Sequence, residues 1–539
     1  MKLLLFGSLA ILCSINHWVA ADERPNVVLI ICDDLNDYVE GFEGHPQTQT
    51  PSMKALAKSG VSFDCAYSNN PVCAPSRSSF LTGIYPHTSG NLFWGKWFEN
   101  PVLKNSKTIM EHFRDNGYHV AGSGKLMHHG KPNEWSDFKH RADYGPSIYD
   151  GNQRVAHPDV PMPFRAIGPV DGSFAPLSRV PYADDGNPES GWIYGNWKKR
   201  QLFRYVSEND RDPTPDERNA KWAADQIRDF ENPEFKSPFF LGIGLIRPHT
   251  PIHVPKKFFD LFPIEDIQLP VTRIGDAEDT YYTDVYAPEQ KGLRYYQTLL
   301  DSYPSREDAL KAFTQAYLAG VAAVDECIGE IVDAIDSSPD PSIRDNTIIV
   351  VTSDHGWNMG EKDYLFKNSP WEESTRVPFI IRVPGLKEPG SRCKQPISLI
   401  DLYPTLIDLC ALDGDTRKNK QGAKLDGHSI RPFIENPKKG TWDGPDTALS
   451  MIFVGEYLKL DKNQKFNLKN QNWSIRSADW RYIRYRNGSE ELYDHVNDSN
   501  EWNNLATHQD HQSMLRSMRT RLNEMVPELQ INTNTQSPN

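Results

Sequence analysis

Pro25-Asn26-Val27-Val28-Leu29-Ile30-Ile31-Cys32-Asp33-Asp34 is a continuous apolar, largely β-branched run that ends on two carboxylates. Hydrophobicity without alternation marks a strand buried on both faces, as central strands of α/β sheets are. Acids at the carboxyl end of such a strand stand where open α/β sheets build their sites. Asn346–Thr352 reads as a second buried strand, and it ends at Ser353-Asp354-His355-Gly356. Around these two runs the chain alternates. Thr50–Gly60 reads as a short helix stopped by its glycine, and Thr108–Asn116 as a helix closed by Gly117 before the strand Tyr118–Ala121. Pro215–Phe230 is an amphipathic helix leading into the strand Pro238–Leu245, and Leu310–Ile335 is a long helix. The alternation predicts an α/β fold.

Near Glu435–Gly444 the pattern gives way to a connector rich in Pro, Gly and Lys. Beyond it Trp473–Arg486 alternates like a solvent-faced strand. Glu491–Asp494, Trp502–Leu505 and a helix near Gln512–Met525 follow, and the last ten residues read as disordered. A chain of 539 residues exceeds one ordinary core. The expected division is a catalytic domain over 22–435 and a smaller C-terminal subdomain over 436–539. Residues 1–21 carry Lys2, the apolar run Leu3–Ile15 and small residues up to Ala21, the pattern of a cleaved signal peptide. That run is too short to span a bilayer, and no other segment qualifies. Export is therefore expected, to a periplasm, the exterior or a lysosome-like compartment according to the host.

Composition is that of an ordinary globular protein, with 38% hydrophobic and 24% charged residues. The net charge of −13 repels an anionic polymer at long range, so anion binding needs a local basic pocket. There are seven cysteines, and losing Cys13 with the leader leaves Cys32, Cys65, Cys73, Cys327, Cys393 and Cys410. That is no disulfide scaffold, and no pairing follows from the spacing. Asn472, Asn487 and Asn497 sit in glycosylation sequons. No internal repeat, Gly-rich phosphate loop or nucleic-acid motif is present.

The run Asn70-Pro-Val-Cys-Ala-Pro-Ser-Arg-Ser-Ser-Phe-Leu-Thr-Gly83 holds a cysteine in unusual company. A free cysteine is ordinarily a packing thiol. Here Pro71 and Pro75 are expected to keep the backbone extended around Cys73, and Arg77 offers a planar guanidinium suited to an oxyanion. Three further motifs follow strands that end on the same side: Gly124-Lys-Leu-Met-His-His-Gly130 with Lys125 and His128, Arg247-Pro-His-Thr-Pro251 with His249, and the loop carrying Lys367. A surface lysine is ordinarily solvated and a lone histidine structural, but their shared placement after strand ends points to convergence. Asp33, Asp34, Asp354 and His355 would then bring three carboxylates and an imidazole together. Hard oxygen ligands favour Ca²⁺ or Mg²⁺, and the imidazole nitrogen admits Mn²⁺.

The Cys73 run resembles the sulfatase signature Cys-x-Pro-Ser-Arg…Leu-Thr-Gly, in which the cysteine is oxidised to formylglycine. The whole chain is similar to the type I sulfatases of the alkaline-phosphatase-like superfamily, and within them to the iduronate-2-sulfatase branch. The spacing of Lys125 and His128, the run Asp354-His355-Gly-Trp-x-x-Gly-Glu361 and the offset of Lys367 carry the finer likeness. It runs in patches from Asn26 to about Leu425 and more faintly over Trp473–Leu505.

The resemblance implies a large mixed sheet flanked by helices, with a C-terminal α+β domain built on an antiparallel sheet. It implies that Cys73, oxidised by a formylglycine-generating partner enzyme, is the nucleophile and that Arg77 stabilises its hydrated form. A geminal diol suits the task, since one hydroxyl attacks sulfur and deprotonating the other expels sulfate. The metal is expected on Asp33, Asp34, Asp354, His355 and the modified Cys73. Lys125 and Lys367 are expected to neutralise the sulfuryl group, His249 to protonate the leaving alcohol and His128 to act as base, with the two histidine roles exchangeable. Arg247 stands where lysine is expected and is read as a substrate contact. The expected substrate is a sulfated oligosaccharide or polysaccharide. A phosphonate or phosphate ester hydrolase of the same superfamily is the alternative, and an inactive glycan-binding protein is another.

Overall fold

The computed structural model describes residues 24–130, 134–182, 190–195, 201–285, 290–455 and 467–530. The expected signal peptide and the polar last residues lie outside them. β1 (Asn26–Asp33) runs through an eight-stranded sheet with β2 (Val61–Phe63), β3 (His119–Gly124), β4 (Asp137–Arg141), β5 (Phe239–Pro248), β6 (Thr347–Ser353), β7 (Phe379–Arg382) and β8 (Ser391–Cys393). The strand order is β8-β2-β7-β6-β1-β5-β3-β4. β1 is parallel to both neighbours, with Val28 opposite Leu241 on one side and Ile349 on the other. The pairings of β7 with β6 and with β2 are antiparallel, so the sheet is mixed.

The unbroken apolar run of β1 has a direct physical reason. Side chains alternate across a strand, and here both faces meet a core. Val28 and Ile30 pack among residues of α2 (Pro215–Phe230) and α3 (Arg306–Asp336), such as Ala223, Val324 and Ile328. Val27, Leu29 and Ile31 pack with Phe113, Tyr403 and Phe80, the last from α1 (Cys73–Phe80). α2 starts where Thr214 and Glu217 close a capping box over Pro215, and its bounds are those expected from the sequence. α3 starts under Ser305, whose hydroxyl accepts from the Asp308 amide.

β5 and β3 approach so closely that a Cβ on Gly244 would lie 2.0 Å from the Lys125 backbone. Backbone cannot yield as a side-chain tip can, so the crossing that sets Lys125 in place requires glycine.

The segment Trp473–Arg486 corrects an expectation. It is not one solvent-faced strand but two strands of a hairpin, β10 (Asn472–Arg476) and β11 (Trp480–Arg484), joined by a turn in which the Ser477 amide donates to the Trp480 carbonyl at 2.9 Å. With β9 (Ala448–Ile452) and β12 (Glu490–Asp494) they form a four-stranded antiparallel sheet. Trp473, Ile475 and Tyr482 face Leu515, Met518 and Leu522 of α4 (Gln512–Met525). The polar positions face protein, not water: Arg481 and Arg476 pair with buried Glu372, which also accepts from the Tyr67 hydroxyl at 2.9 Å. A charged residue in such a strand reads as exposed unless its distant partner is known.

Asn472 is buried in β10, while Asn487 and Asn497 are exposed. Among the described residues the six cysteines are free, and no helix is long and apolar enough to cross a membrane.

Candidate active site

The carboxyl ends of β1, β3, β5 and β6 deliver side chains to one place, and the N-terminus of α1 meets them there. Cys73 is the first residue of α1, so the backbone turns helical at the thiol. Val72 just before it is extended, at φ −142° and ψ 131°. Proline in the first turn removes an amide that has no helical partner anyway, so Pro75 does not oppose the helix. One turn on, Arg77 shares the face of Cys73.

Arg77 is fully buried and every polar edge is used. Its Nε donates to Asp354 Oδ2 at 2.7 Å, Nη2 to the Cys32 carbonyl at 3.1 Å, and Nη1 to the carbonyls of Lys125 and Leu126. It therefore knits β1, β3 and β6 together beneath the thiol. The Ser68 and Ser76 hydroxyls both donate to the Asp354 carbonyl at 2.6 Å.

Asp33 and Asp34 both turn into the site because Asp34 adopts φ +63°, a left-handed conformation that aspartate tolerates better than most residues. The Tyr317 hydroxyl fixes that turn, donating to the Asp34 carbonyl at 2.6 Å and accepting from the Asn36 amide at 3.0 Å. Lys125 donates to Asp33 Oδ2, and Lys367 to Asp34 Oδ1 at 2.7 Å. His249 Nε2 lies 3.7 Å from Asp34 Oδ2, and His355 Nε2 3.6 Å from Asp354 Oδ1.

The electrostatics follow from this crowding. Burial pushes the Cys73 thiol up, but the positive charges of Lys125 and Lys367 outweigh it and hold the thiol below its ordinary value. Burial also opposes the charge on Asp33, and the fixed charges of Lys125 and Arg77 overcome it. Asp34 goes the other way: burial, with Asp33 and Asp354 beside it, raises it to about 8 despite Lys367. Burial first and Lys125 second push His128 down to about 3. Burial and Lys367 hold His249 well below its usual range.

The donor set fits a cation. Asp33 Oδ1, Asp34 Oδ2 and His355 Nε2 are buried without a hydrogen-bond partner. His355 Nδ1 lies 3.0 Å from the Gly356 carbonyl, an acceptor only, so that nitrogen carries the proton and Nε2 presents a lone pair toward the carboxylates. A lone pair facing carboxylate oxygens is repulsive unless a positive ion lies between them. Ligand atoms of Asp33, Cys73, Asp354 and His355 lie within 4.8 Å of one another, as do those of Asp33, Asp34 and His249.

Arg247 points elsewhere than the sequence suggested. Its guanidinium turns into the protein, donating to the carbonyls of His249 at 2.7 Å and Gly145 at 2.8 Å, while Asp216 accepts from its backbone amide at 2.9 Å. It holds the His249 loop, and both of its Nη atoms are taken up by backbone carbonyls. Arg247→Ala should therefore lower stability by about 2–4 kcal/mol and slow all substrates alike, large or small. A loss confined to large substrates in matched kinetics would restore the contact reading.

Three residues around the site escaped the sequence reading. The Tyr144 ring lies 5.0 Å from Lys125 Nζ and 5.0 Å from the His249 ring. Asp171 accepts from Thr250 Oγ1 at 3.0 Å, next to His249, and from the Tyr295 hydroxyl at 2.9 Å. Asn368 clamps the Lys367 loop: its amide donates to the Pro71 carbonyl at 2.9 Å, and its side chain exchanges two 3.2 Å bonds with the Phe453 backbone. None of the three lies in a motif with a local pattern.

Residues 25–412 match the sulfatase family profile. The chain belongs to that family. It is a sulfuric ester hydrolase. Residues 360–528 of this sulfatase also match the profile described as N-sulphoglucosamine sulphohydrolase, C-terminal. A sulfatase of Formosa agariphila is 30% identical over 93% of this chain and 86% of its own length. The iduronate 2-sulfatase of Mus musculus is 26% identical over 89% of this chain and 88% of its own. Among solved structures, the phosphonate monoester hydrolase of Agrobacterium radiobacter superposes with a TM-score of 0.67 at 21% identity, covering 94% of this chain and 96% of that one. At that identity the likeness establishes the fold only.

Proposed function

We propose that this sulfatase is exported and removes a sulfate ester from the terminal sugar of an extracellular sulfated polysaccharide or its oligosaccharides, a 2-sulfated uronic acid or similar sugar suiting it best. The supporting observation is the convergence of Cys73, at a helix N-terminus, with two lysines, two histidines and an acid cluster at four strand ends. Likeness to an iduronate 2-sulfatase over most of both chains supports the choice of sugar. We place the domain boundary near residue 435, before the strand that opens the C-terminal sheet.

In this reading Cys73 is oxidised to formylglycine by a maturating enzyme and supplies a hydroxyl nucleophile. Asp33, Asp34, Asp354 and His355 would hold one divalent cation beside residue 73. Ca²⁺ fits these hard ligands, with Mg²⁺ and Mn²⁺ as alternatives, and a bound cation polarises a sulfate oxygen. Lys125 and Lys367, both buried, place fixed positive charge where the sulfuryl oxygens gather negative charge. Arg77 keeps Asp33 and Asp354 aimed and the helix of residue 73 in register. His249 is neutral at rest, and an anionic ester beside it favours the protonated imidazole it needs to serve the leaving alcohol. His128, also neutral, is the base of this reading, and an anionic sulfate beside it would raise its imidazole from the low value that burial and Lys125 impose.

The test is a desulfation screen over defined sulfated mono-, di- and oligosaccharides, using protein co-expressed with a formylglycine-generating enzyme. Turnover of a terminal sulfated sugar is expected. Efficient cleavage of phosphonate monoesters with no sulfated sugar turned over would replace this reading with the ester-hydrolase alternative.

A further inference from the structure

The reacting groups lie deep. Cys73 is 1% exposed and Lys125 0%, so little beyond the sulfate itself reaches them. The sugar must rest on what surrounds those groups, and beside His128 a large apolar ring stands in solvent. Trp94 is 42% exposed, and its indole lies against the His128 imidazole with ring centroids 4.8 Å apart. A single exposed tryptophan needs no explanation by itself. This one is held in place from several sides.

Behind Trp94, Phe93 packs edge-on at 5.3 Å and itself stacks on Phe453 of the C-terminal sheet region at 4.0 Å. The loop is registered to the nucleophile on both flanks of Cys73. Asn70 donates to the Leu92 carbonyl at 3.3 Å, and Asn91 donates to the Ser78 hydroxyl of α1 at 2.9 Å. At its far end Trp97 Nε1 donates to the His129 carbonyl at 2.9 Å. The loop is thus tied to the segment before Cys73, to the helix after it and to the chain that carries His128. A mobile surface loop would have none of these ties, and a buried packing loop would cover its indole.

We propose that Trp94 is a stacking platform for the pyranose ring next to the sulfated sugar, so that the preferred substrate is at least a disaccharide. A pyranose has an apolar face of C–H groups, and an indole face is both apolar and electron-rich, so the two pack without leaving a polar group unpaired. The site's depth sets the arrangement: the sulfate enters, and the neighbouring ring stays at the rim beside His128.

The inference rests on the glycan reading above, and the experiment separates the two. The sulfated disaccharide best used by the wild type is compared with the sulfated monosaccharide of its terminal sugar. Trp94→Ala should lower kcat/KM on the disaccharide about tenfold, mainly through KM, the scale of one well-placed aromatic contact. Activity on the monosaccharide should stay within about twofold, and Trp94→Phe should recover most of the loss. Formylglycine content and unfolding midpoint are measured on each variant, so that misfolding is recognised. Equal losses on both substrates, or none on the disaccharide, overturn the platform and leave the glycan reading intact. A wild type that turns over no sulfated saccharide overturns both.

Discussion

Cys73→Ala should abolish turnover of sulfate esters, by on the order of 10⁵- to 10⁶-fold, the scale on which enzymes fall when a covalent nucleophile is removed. The fold should survive. Alanine fills the first helical position as well as cysteine does, and the structural neighbours are untouched: Arg77 still ties Asp354, Cys32 and the Lys125 carbonyl together. The unfolding midpoint should accordingly move by no more than about 1 kcal/mol in equivalent stability. Mass spectrometry of the peptide spanning residue 73 should find an aldehyde in active wild-type protein. Full activity in protein whose Cys73 is an unmodified thiol would end the formylglycine mechanism.

What could be read from the sequence, and what could not, divides by range. β1 and β6 were legible because a strand covered on both faces leaves no polar gaps, and each run ends in acids that had no local work. α2 was legible from its amphipathic pattern, and the structure adds the capping box of Thr214 and Glu217 that fixes its start. Cys73, Lys125, His249 and Lys367 were legible as candidates because each follows a strand end or sits in a dense local motif. The direction of a side chain is a different matter. Arg247 carries the charge expected of a substrate contact, yet the Gly145 carbonyl, 102 residues away, takes its guanidinium inward.

The same holds for the hairpin over Asn472–Arg484. Its arginines meet Glu372, about a hundred residues earlier (|i−j| of 104 for Arg476), and no periodicity announces such a partner. Asn70, Asn91 and Asn368 are short polar side chains that fix loops by bonding to distant backbone or hydroxyl groups. In sequence they look like ordinary loop asparagines. The motifs identify the groups of the site, and long-range polar clamps place them.

Removing the cation should destabilise the protein, and more so as pH rises. In the metal-free fold burial and the adjacent Asp33 and Asp354 hold Asp34 at about 8, against about 3.9 in an unfolded chain. A carboxyl raised by folding contributes fully to stability below its unfolded pKa and loses that contribution as pH climbs through its folded one. The Asp34 share of metal-free stability should therefore fall steadily between about pH 4 and 8, and it is read as the difference from loaded protein because the depressed His128 and His249 act in the opposite sense. A bound cation repels the proton and offsets the crowding, so loaded protein should lack that decline, and binding itself adds about 2.7 kcal/mol at a hundredfold excess of ion over Kd. The gap in unfolding midpoint between chelated and Ca²⁺-loaded protein should be small near pH 5 and several degrees at pH 8. Asp34→Asn sharpens the test. Taking one negative charge from the cluster should raise the metal-free midpoint at pH 8, yet it should also remove most of the response to added Ca²⁺ and the activity with it. A site kept for chemistry is expected to behave in this way, since the charge that catalysis needs is the charge the empty fold tolerates least. Chelated protein with unchanged midpoint and unchanged activity across that pH range would show that the carboxylates hold no ion.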